Sequence, residues 1–260
     1  MKNLIVANWK MNPVSKKEAE DIFSAYGARL PARQGPASGW DRDAVEVVIC
    51  PPFVYLNLWD VRHPTDGGMS DILVSLGAQN VYSEEKGAFT GEISPAMLKD
   101  LGAEYVIIGH SERRKYFGET DETVNKKIKK SLEAGLNVIF CIGETAEERD
   151  AGKKNEVLEK QIKNGLLDIE NFKFQISNLS VAYEPVWAIG TGNNCSVEET
   201  KESVDFIRQF VKPETRVLYG GSVKSDNSAD YIKQAGANGL LVGGASLNPE
   251  EFIKIVKSAD

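Results

Sequence analysis

Polar side chains suited to proton transfer stand at the ends of short apolar segments of this chain. Asn8 and Lys10 follow the first such segment, His110 follows the fourth, and Glu184 follows the sixth. A partly desolvated carboxylate suits a general base, and a fixed cation can offset developing negative charge. Taken singly, His110 is more often structural and Glu184 more often an ion-pair partner. Taken together, the four residues indicate proton transfer beside a carbonyl group.

His110 stands where its apolar segment turns into a predicted short helix over residues 111–117. The positive end of a helix disfavours a protonated imidazole. We therefore expect His110 to be neutral and to donate a hydrogen bond from one ring nitrogen. The second histidine, His63, lies in a polar loop, and we interpret it as structural.

Two glycine pairs end the last two apolar segments: Gly220-Gly221, followed by Ser222, and Gly243-Gly244. Glycines leave backbone N–H groups open that side chains would cover. The loops after the seventh and eighth strands of a β/α barrel are the usual phosphate seat. Ordinary turn chemistry is the alternative, but its repetition at consecutive strand ends favours phosphate. The combined pattern points to a small phosphorylated substrate.

Eight apolar segments supply the predicted strands that carry these residues. Most are continuously apolar, as strands buried on both faces are. They cover residues 4–7, 45–50, 72–76, 105–108, 138–142, 179–183, 217–219 and 240–242. Predicted helices lie between them, over residues 15–30, from 94 onward, and over 111–117, 122–134, 156–169, 197–211, 226–235 and 249–256. Three of these helices lead through Gly102, Gly135 and Gly236 into the next strand, as left-handed C-caps do.

This alternation predicts an α/β fold, a closed (β/α)8 barrel that forms one domain over residues 1–260. The rival is a doubly wound open sheet. That fold would be expected to carry a phosphate fingerprint such as GxGxxG after its first strand, where this chain has Asn8-Trp9-Lys10. Residues 31–44 and 63–71 are rich in loop-forming residues, and we expect both to be extended surface loops.

The composition weighs against several classes of partner. The 260 residues include 31 basic and 38 acidic side chains, and this net charge of −7 argues against nucleic-acid or membrane binding. No apolar run is long enough for a spanning helix. The three cysteines, Cys50, Cys141 and Cys195, are widely spaced and form no metal-binding pattern. Their odd number suggests a reducing compartment, so we expect the cytoplasm.

Six segments of the chain closely resemble triosephosphate isomerase, in order and over nearly the whole length. The Tyr-Glu-Pro-Val-Trp and Gly-His-Ser-Glu-Arg-Arg motifs are highly specific. The segments are Asn-Trp-Lys-Met-Asn at 8–12, Gly-Ala-Phe-Thr-Gly-Glu at 87–92, Gly-His-Ser-Glu-Arg-Arg at 109–114, Ala-Tyr-Glu-Pro-Val-Trp-Ala-Ile-Gly-Thr-Gly at 182–192, Tyr-Gly-Gly-Ser-Val at 219–223 and Val-Gly-Gly-Ala-Ser-Leu at 242–247.

The resemblance implies interconversion of dihydroxyacetone phosphate and D-glyceraldehyde 3-phosphate, without metal or cofactor. It implies that Glu184 moves the proton between two carbons and that neutral His110 polarises the carbonyl. Lys10 would offset the charge of the enediolate and help hold the phosphate, and Asn8 would orient the substrate and His110. Glu112 would support Lys10 without touching the substrate.

The resemblance also implies a phosphate seat, a lid and a partner. Gly190, Ser222, Gly243 and Gly244 would bind the phosphate. Pro185, Val186 and Trp187 would form a stiff lid hinge, and Ala188, Ile189, Gly190, Thr191 and Gly192 the lid tip. A homodimer would form through the loop at residues 82–93, with Phe89 and Thr90 at its tip, although this loop could instead fold onto its own barrel.

The other end of the lid departs from the resemblance. Asn193-Asn194-Cys195 stands where the family often has Lys-Thr-Ala. Asparagine tolerates left-handed backbone angles better than most residues. We therefore hypothesise that Asn193 or Asn194 shifts the opening equilibrium of the lid without touching the chemistry.

Two other functions remain open from the sequence. One is a catalytically silent sugar-phosphate binder or scaffold, which the presence of Lys10, His110 and Glu184 argues against. The other is a phosphate-binding barrel isomerase for a larger substrate. The short lid at residues 187–192 is better suited to a three-carbon ligand.

Overall fold

The computed structural model describes residues 1–30, 44–58, 74–169, 178–190 and 194–260. In this part of the chain, eight parallel strands form a closed barrel in sequence order, with β1 hydrogen-bonded to both β2 and β8. The strands are β1 Asn3–Asn8, β2 Val45–Cys50, β3 Val74–Ala78, β4 Tyr105–Ile108, β5 Asn137–Ile142, β6 Leu179–Tyr183, β7 Arg216–Tyr219 and β8 Gly239–Val242. The predicted (β/α)8 barrel is confirmed, and the doubly wound sheet is excluded.

The helices of the described residues lie between the strands along the chain. They are α1 Lys16–Gly27, α2 Pro95–Asp100, α3 Ser111–Phe117, α4 Asp121–Glu133, α5 Ala146–Asp150, α6 Lys154–Gly165, α7 Val197–Ile207, α8 Ser228–Lys233 and α9 Pro249–Ser258. Short 3-10 helices cover Phe53–Leu58, Val186–Ala188 and Gly244–Leu247. Neither α5 nor these 3-10 helices was predicted from the sequence, since such short turns carry too few residues for a periodic pattern.

Local sequence signals explain where several helices begin and end. Ser15 caps α1 in a capping box with Glu18, and Ser94 caps α2 with Pro95 in the first turn. Gly102, Gly135 and Gly236 have φ angles of 83°, 76° and 73°, which confirms the predicted left-handed helix ends. The predicted ends of the helices at 156–169 and 197–211 ran too far, because turns rather than helix follow Gly165 and Ile207.

Strand side chains alternate between two buried environments. Ile5 and Ala7 of β1 belong to the cluster that contains Phe23 of α1, whereas Leu4 and Val6 belong to a separate cluster of strand residues. The first set packs against the helices, and the second fills the barrel interior. A polar residue that continues the second set beyond a strand therefore faces the mouth of the barrel.

Two predicted features fall mainly on residues that the structure does not describe. Of the predicted surface loop at 31–44, only Ala44 is described, and its carbonyl accepts a 2.8 Å hydrogen bond from the Asn3 N–H. The predicted loop at 63–71 and the first two residues of the predicted third strand also lie outside the described ranges. None of the helices in the described ranges is both long enough and apolar enough to cross a lipid bilayer.

Candidate active site

A cavity of about 490 Å³ opens at the carboxyl ends of the strands and collects most of the predicted site residues. Its lining includes residues from β1, β4, β6, β7 and β8 ends, so the closed barrel brings together groups that are far apart in sequence. Predicted residues that line it are Asn8, Lys10, His110, Glu184, Ile189, Gly190, Ser222, Gly243 and Gly244.

Strand phase explains why Asn8 and Glu184 reach this cavity. Asn8 continues the inward series of Leu4 and Val6 in β1, and Glu184 continues that of Ala182 in β6. Both polar side chains are almost completely buried, at 5% and 2% exposed. The Asn8 Oδ1 accepts a 3.0 Å hydrogen bond from the Lys10 N–H, so Asn8 also fixes the backbone of the predicted cation.

Two groups hold the Glu184 carboxylate. Oε2 accepts a 2.9 Å hydrogen bond from the Ser111 N–H, and Oε1 lies 3.0 Å from Nε2 of His110. Burial acts to raise the pKa of Glu184. The opposing effects of His110, the Ser111 N–H and Lys10 outweigh it, and the pKa lies below its ordinary value. The carboxylate is therefore ionised at neutral pH, as a general base must be.

Two glycines leave room for the strand end that carries Glu184. A Cβ atom on Gly143 would lie 1.7 Å from the Glu184 carbonyl oxygen, and one on Gly220 would lie 3.0 Å from its Cγ. Any side chain at Gly143 would displace this backbone. No sequence pattern singles out Gly143, because its importance depends on a contact between neighbouring strands.

His110 forms the N-cap of α3, and each of its ring nitrogens has a neighbour. Nδ1 accepts a 3.2 Å hydrogen bond from the Glu112 N–H and is therefore unprotonated, which leaves the proton on Nε2 facing Glu184. Burial lowers the pKa of His110, but the Glu184 carboxylate outweighs burial and raises it. The expectation of a neutral imidazole agrees with the Nδ1 hydrogen bond. The Glu184 carboxylate, by contrast, favours the protonated imidazole.

Lys10 approaches the cavity beside the last glycine pair. Its backbone is left-handed, with φ of 54°, and its Nζ lies 2.6 Å from Oε1 of Glu112. A Cβ on Gly243 would lie 3.3 Å from the Lys10 Cε, so the lysine stem passes directly over this glycine. Glu112 is not among the cavity-lining residues and contacts Lys10 from outside the cavity.

The Ser222 hydroxyl is already engaged in the structure. It donates a 2.7 Å hydrogen bond to the carbonyl of Ala188, which lies in the predicted lid tip. The hydroxyl has a single proton and must release Ala188 before it can donate to a phosphate. The N–H groups of the glycine pairs do not depend on this rearrangement.

The predicted lid begins as a 3-10 turn that is tied to the loop after β5. Val186 N–H and Trp187 Nε1 donate to Glu144 at 3.1 and 2.9 Å, and the Arg149 guanidinium stacks 4.0 Å above the Trp187 ring. Pro185 precedes this turn, and Ile189 and Gly190 follow it into the cavity. Thr191, Gly192 and Asn193 lie outside the described residues. Asn194 is exposed and Cys195 buried.

Comparison with known proteins gives one consistent result. The family model for triosephosphate isomerase matches residues 3–259. The chain is 44% identical to triosephosphate isomerase of Carboxydothermus hydrogenoformans and 45% identical to that of Aquifex aeolicus, and each match covers at least 99% of both chains. The triosephosphate isomerase of Dictyoglomus thermophilum is 44% identical over 265 residues.

The chain belongs to the triosephosphate isomerase family.

Membership in the triosephosphate isomerase family confirms the resemblance stated from the motifs and makes the chain an isomerase. The cavity also contains residues that the sequence analysis did not select. These are Val223, Lys224, Leu241, Ala245, Asn248 and Glu251. Strand phase could have identified Leu241, which precedes Gly243 by two positions on β8. Lys224 and Glu251 carry no such signal, because loop and helix geometry bring them to the rim.

Proposed function

We propose that the cavity interconverts dihydroxyacetone phosphate and D-glyceraldehyde 3-phosphate by proton transfer through an enediolate. One observation carries the assignment. A buried, ionised Glu184, the Nε2–H of His110 and the Lys10 ammonium converge on one cavity that the two glycine pairs also line. The family supports the three-carbon substrate. A silent sugar-phosphate binder would not need a desolvated base beside a proton donor.

Glu184 is the general base in this proposal. Its carboxylate turns from the Ser111 N–H and His110 toward the substrate and removes a proton from the carbon beside the carbonyl. It then returns the proton to the neighbouring carbon. General base catalysis of this kind contributes roughly 10²–10⁴-fold in rate.

His110 and Lys10 stabilise the negative charge that forms on the substrate oxygens. The Nε2–H of His110, which faces Glu184 in the structure, becomes the donor to the carbonyl oxygen and moves protons between the two oxygens. Lys10 supplies a positive charge, and Asn8 orients the substrate. One well-placed donor in such a site is worth on the order of 10²–10³ in rate.

The substrate phosphate binds at the ends of β7 and β8 in this proposal. The N–H groups of Gly190, Gly243 and Gly244 donate to its oxygens, and Ser222 adds its hydroxyl after releasing Ala188. Residues 185–192 close over the bound substrate and exclude water, because an enediolate phosphate exposed to water could eliminate its phosphate.

We also propose a homodimer through residues 82–93. Phe89 is 41% exposed although its ring lies 4.8 Å from Tyr82, so the loop only partly covers its own aromatic side chain. Met11 is 93% exposed in the loop after β1, and Gln79, three residues before the 82–93 loop, donates to the Lys10 carbonyl at 2.9 Å. An apolar surface of this kind favours association. Phe89→Glu should shift sedimentation equilibrium toward monomer.

Single-domain organisation and a cytoplasmic location complete the proposal. The described barrel draws its strands from Asn3 to Val242, which supports one domain over residues 1–260. Cys50, Cys141 and Cys195 are buried and unpaired, in keeping with a reducing compartment.

A coupled isomerase assay tests the proposed activity. Glu184→Gln preserves the size of the side chain and removes the base, and turnover should fall at least 100-fold. Glu46→Gln is the matched control, since Glu46 is a carboxylate near the amino end of β2 that pairs with Arg216. Wild-type turnover no faster than that of Glu184→Gln would refute the isomerase. Faster turnover of a larger phosphorylated aldose would favour the alternative substrate.

A further inference from the structure

A cluster of buried polar residues contacts Gly109, the residue before His110, and lies outside the cavity lining. Glu119, Lys127 and Asn80 are each less than a tenth exposed. The Lys127 ammonium donates to Oδ1 of Asn80 at 2.8 Å and to Oε1 of Glu119. Burial lowers the pKa of Lys127, and Glu119 offsets this only in part. Stability alone is a weak explanation for such a pair, because desolvation cancels much of its attraction.

The second oxygen of Glu119 reaches the residue that precedes His110. The Gly109 N–H donates to Oε2 of Glu119 at 3.2 Å, and the Gly109 carbonyl accepts a 2.8 Å hydrogen bond from Nε of Arg114. Side chains therefore hold both polar groups of Gly109. These two hydrogen bonds restrict rotation of the backbone at Gly109.

The conformation of Gly109 determines the direction of His110. Its φ of 76° is left-handed and interrupts the alternation of β4, so that His110 points into the cavity although it is out of phase with the inward residues of that strand. A Cβ on Gly109 would lie 3.1 Å from both the Cys141 carbonyl oxygen and Nη2 of Arg114. A rotation at Gly109 would move the whole imidazole.

Glu119 also closes the loop that carries the site. The chain leaves the barrel at Gly109, forms α3 and reaches Glu119 just before α4, where the Glu119 N–H donates to the Arg113 carbonyl at 3.3 Å. This loop carries His110, the Ser111 N–H that binds the predicted base, and the Glu112 carboxylate that binds Lys10. One carboxylate thus ties the end of the loop to its beginning.

We propose that Glu119, fixed by Lys127 and Asn80, is a positioning residue that sets the imidazole of His110 for proton transfer. The inference rests on the proposed function, since it assumes that His110 is the proton donor. Glu119 acts through Gly109 and does not touch the substrate.

Glu119→Gln tests the role of the charge, because the variant keeps the size of the side chain and breaks the pair with Lys127. We expect kcat to fall about 10-fold to 100-fold, as small misplacements of a catalytic group do, with little change in KM. Lys127→Met should have the same effect in weaker form, since it leaves the Gly109 hydrogen bond in place. Lys127→Met also serves as the test variant if Glu119→Gln does not fold.

Combination with His110→Gln distinguishes positioning from a general loss of structure. If Glu119 acts through His110, Glu119→Gln should lower kcat little further in the His110→Gln background. An equal loss in both backgrounds would overturn the inference. Glu46→Gln is the control, because it breaks an ion pair at the opposite end of the barrel. It should lower stability and leave kcat unchanged.

Nuclear magnetic resonance of the His110 ring nitrogens gives a readout that does not depend on turnover. In the folded protein without substrate, Glu119→Gln should shift the Nδ1 and Nε2 signals, and Glu46→Gln should not. Unchanged ring signals would overturn the inference, as would a loss of activity that only follows the folded or dimeric fraction in sedimentation. Wild-type protein without isomerase activity would refute the proposed function and leave the ring-nitrogen test intact.

Discussion

Oε1 of Glu184 lies 3.0 Å from Nε2 of His110, so the proposed base and the proposed proton donor hold each other in the structure. Both side chains are buried, and their contact fixes two orientations at once. A substrate carbonyl can reach Nε2 only after the carboxylate has moved. When substrate binds, the hydrogen bond between Glu184 and His110 is replaced by hydrogen bonds to the substrate. Because both side chains stay hydrogen-bonded, this replacement limits the free-energy cost of burying them together.

The contact between Glu184 and His110 predicts how Glu184 contributes to the pH dependence of stability. Its pKa in the folded protein lies below the ordinary value of 4.5. At pH values between the folded-state pKa of Glu184 and its ordinary pKa, the unfolded chain binds more protons than the folded protein. The free energy of unfolding should therefore rise with pH and fall as the site is acidified. Glu184→Gln should remove this part of the slope in urea unfolding below about pH 5. Identical slopes in both proteins would contradict the prediction.

His110 contributes a slope of the opposite sign to the same measurement. Glu184 raises its pKa above the ordinary value of 6.5 despite burial, so above that pH the folded state binds more protons. The stabilisation is complete below the ordinary value and is lost as pH rises through the raised pKa. His110→Gln should abolish this decline. A decline that persists in the variant would assign it to another group.

Lys10 and Glu112 should differ sharply in their importance for anion binding. Lys10→Met removes a charge from the cavity and should weaken binding of inorganic phosphate about 10-fold to 100-fold, the value of a charged hydrogen bond. Their ion pair is more than a quarter exposed on both sides, so Glu112→Gln should cost only about 2-fold to 5-fold. Isothermal titration calorimetry measures both. Lys16→Met, in an exposed pair of α1, is the control, and equal losses for Lys10 and Lys16 would refute the role of Lys10.

Ser222 should influence the mobility of residues 186–190. Ser222→Ala removes the 2.7 Å hydrogen bond to the Ala188 carbonyl, which is worth about 1 kcal/mol. The relaxation of Trp187 fluorescence after a temperature jump should change about 5-fold, with Trp187→Phe used to assign the signal. Ser225→Ala is the matched control, since Ser225 in the same loop bonds Glu251 instead. If both serine variants show the same relaxation, the hydrogen bond between Ser222 and Ala188 does not influence the mobility of residues 186–190.

The Asn193-Asn194-Cys195 hinge can be tested by replacement with Lys-Thr-Ala. The Cys195 carbonyl accepts a 2.8 Å hydrogen bond from the Tyr231 hydroxyl, and this backbone contact survives the replacement. Cys195→Ala alone measures the loss of the buried thiol, and the remaining differences should come from the side chains and backbone preferences of residues 193 and 194. We expect a changed lid relaxation rate with unchanged burial of Trp187. Unchanged turnover together with unchanged relaxation would refute the hypothesis that this hinge shifts the lid equilibrium.

The sequence by itself determined the class of fold and named the candidate site residues that the fold brings to one cavity. Short, mostly apolar segments predicted all eight strands, with the third displaced by two residues, because a strand buried on both faces has few polar residues. Their positions at the ends of the first and sixth predicted strands placed Asn8 and Glu184 at the mouth of the barrel. Residue type and position suggested a cation at Lys10 and a neutral donor at His110, and the family motifs added the substrate on which they would act.

Only the tertiary structure decided how these residues influence one another. The pairing of Glu184 with His110, the engagement of Ser222 by Ala188 and the clamp of Glu119 on Gly109 each join segments that no local pattern relates. Closure of the barrel brings these groups together, and burial then strengthens the electrostatic interactions between them. Strand alternation specifies which way Asn8 and Glu184 point, whereas the pKa of a side chain and its partners depend on what the fold brings beside it.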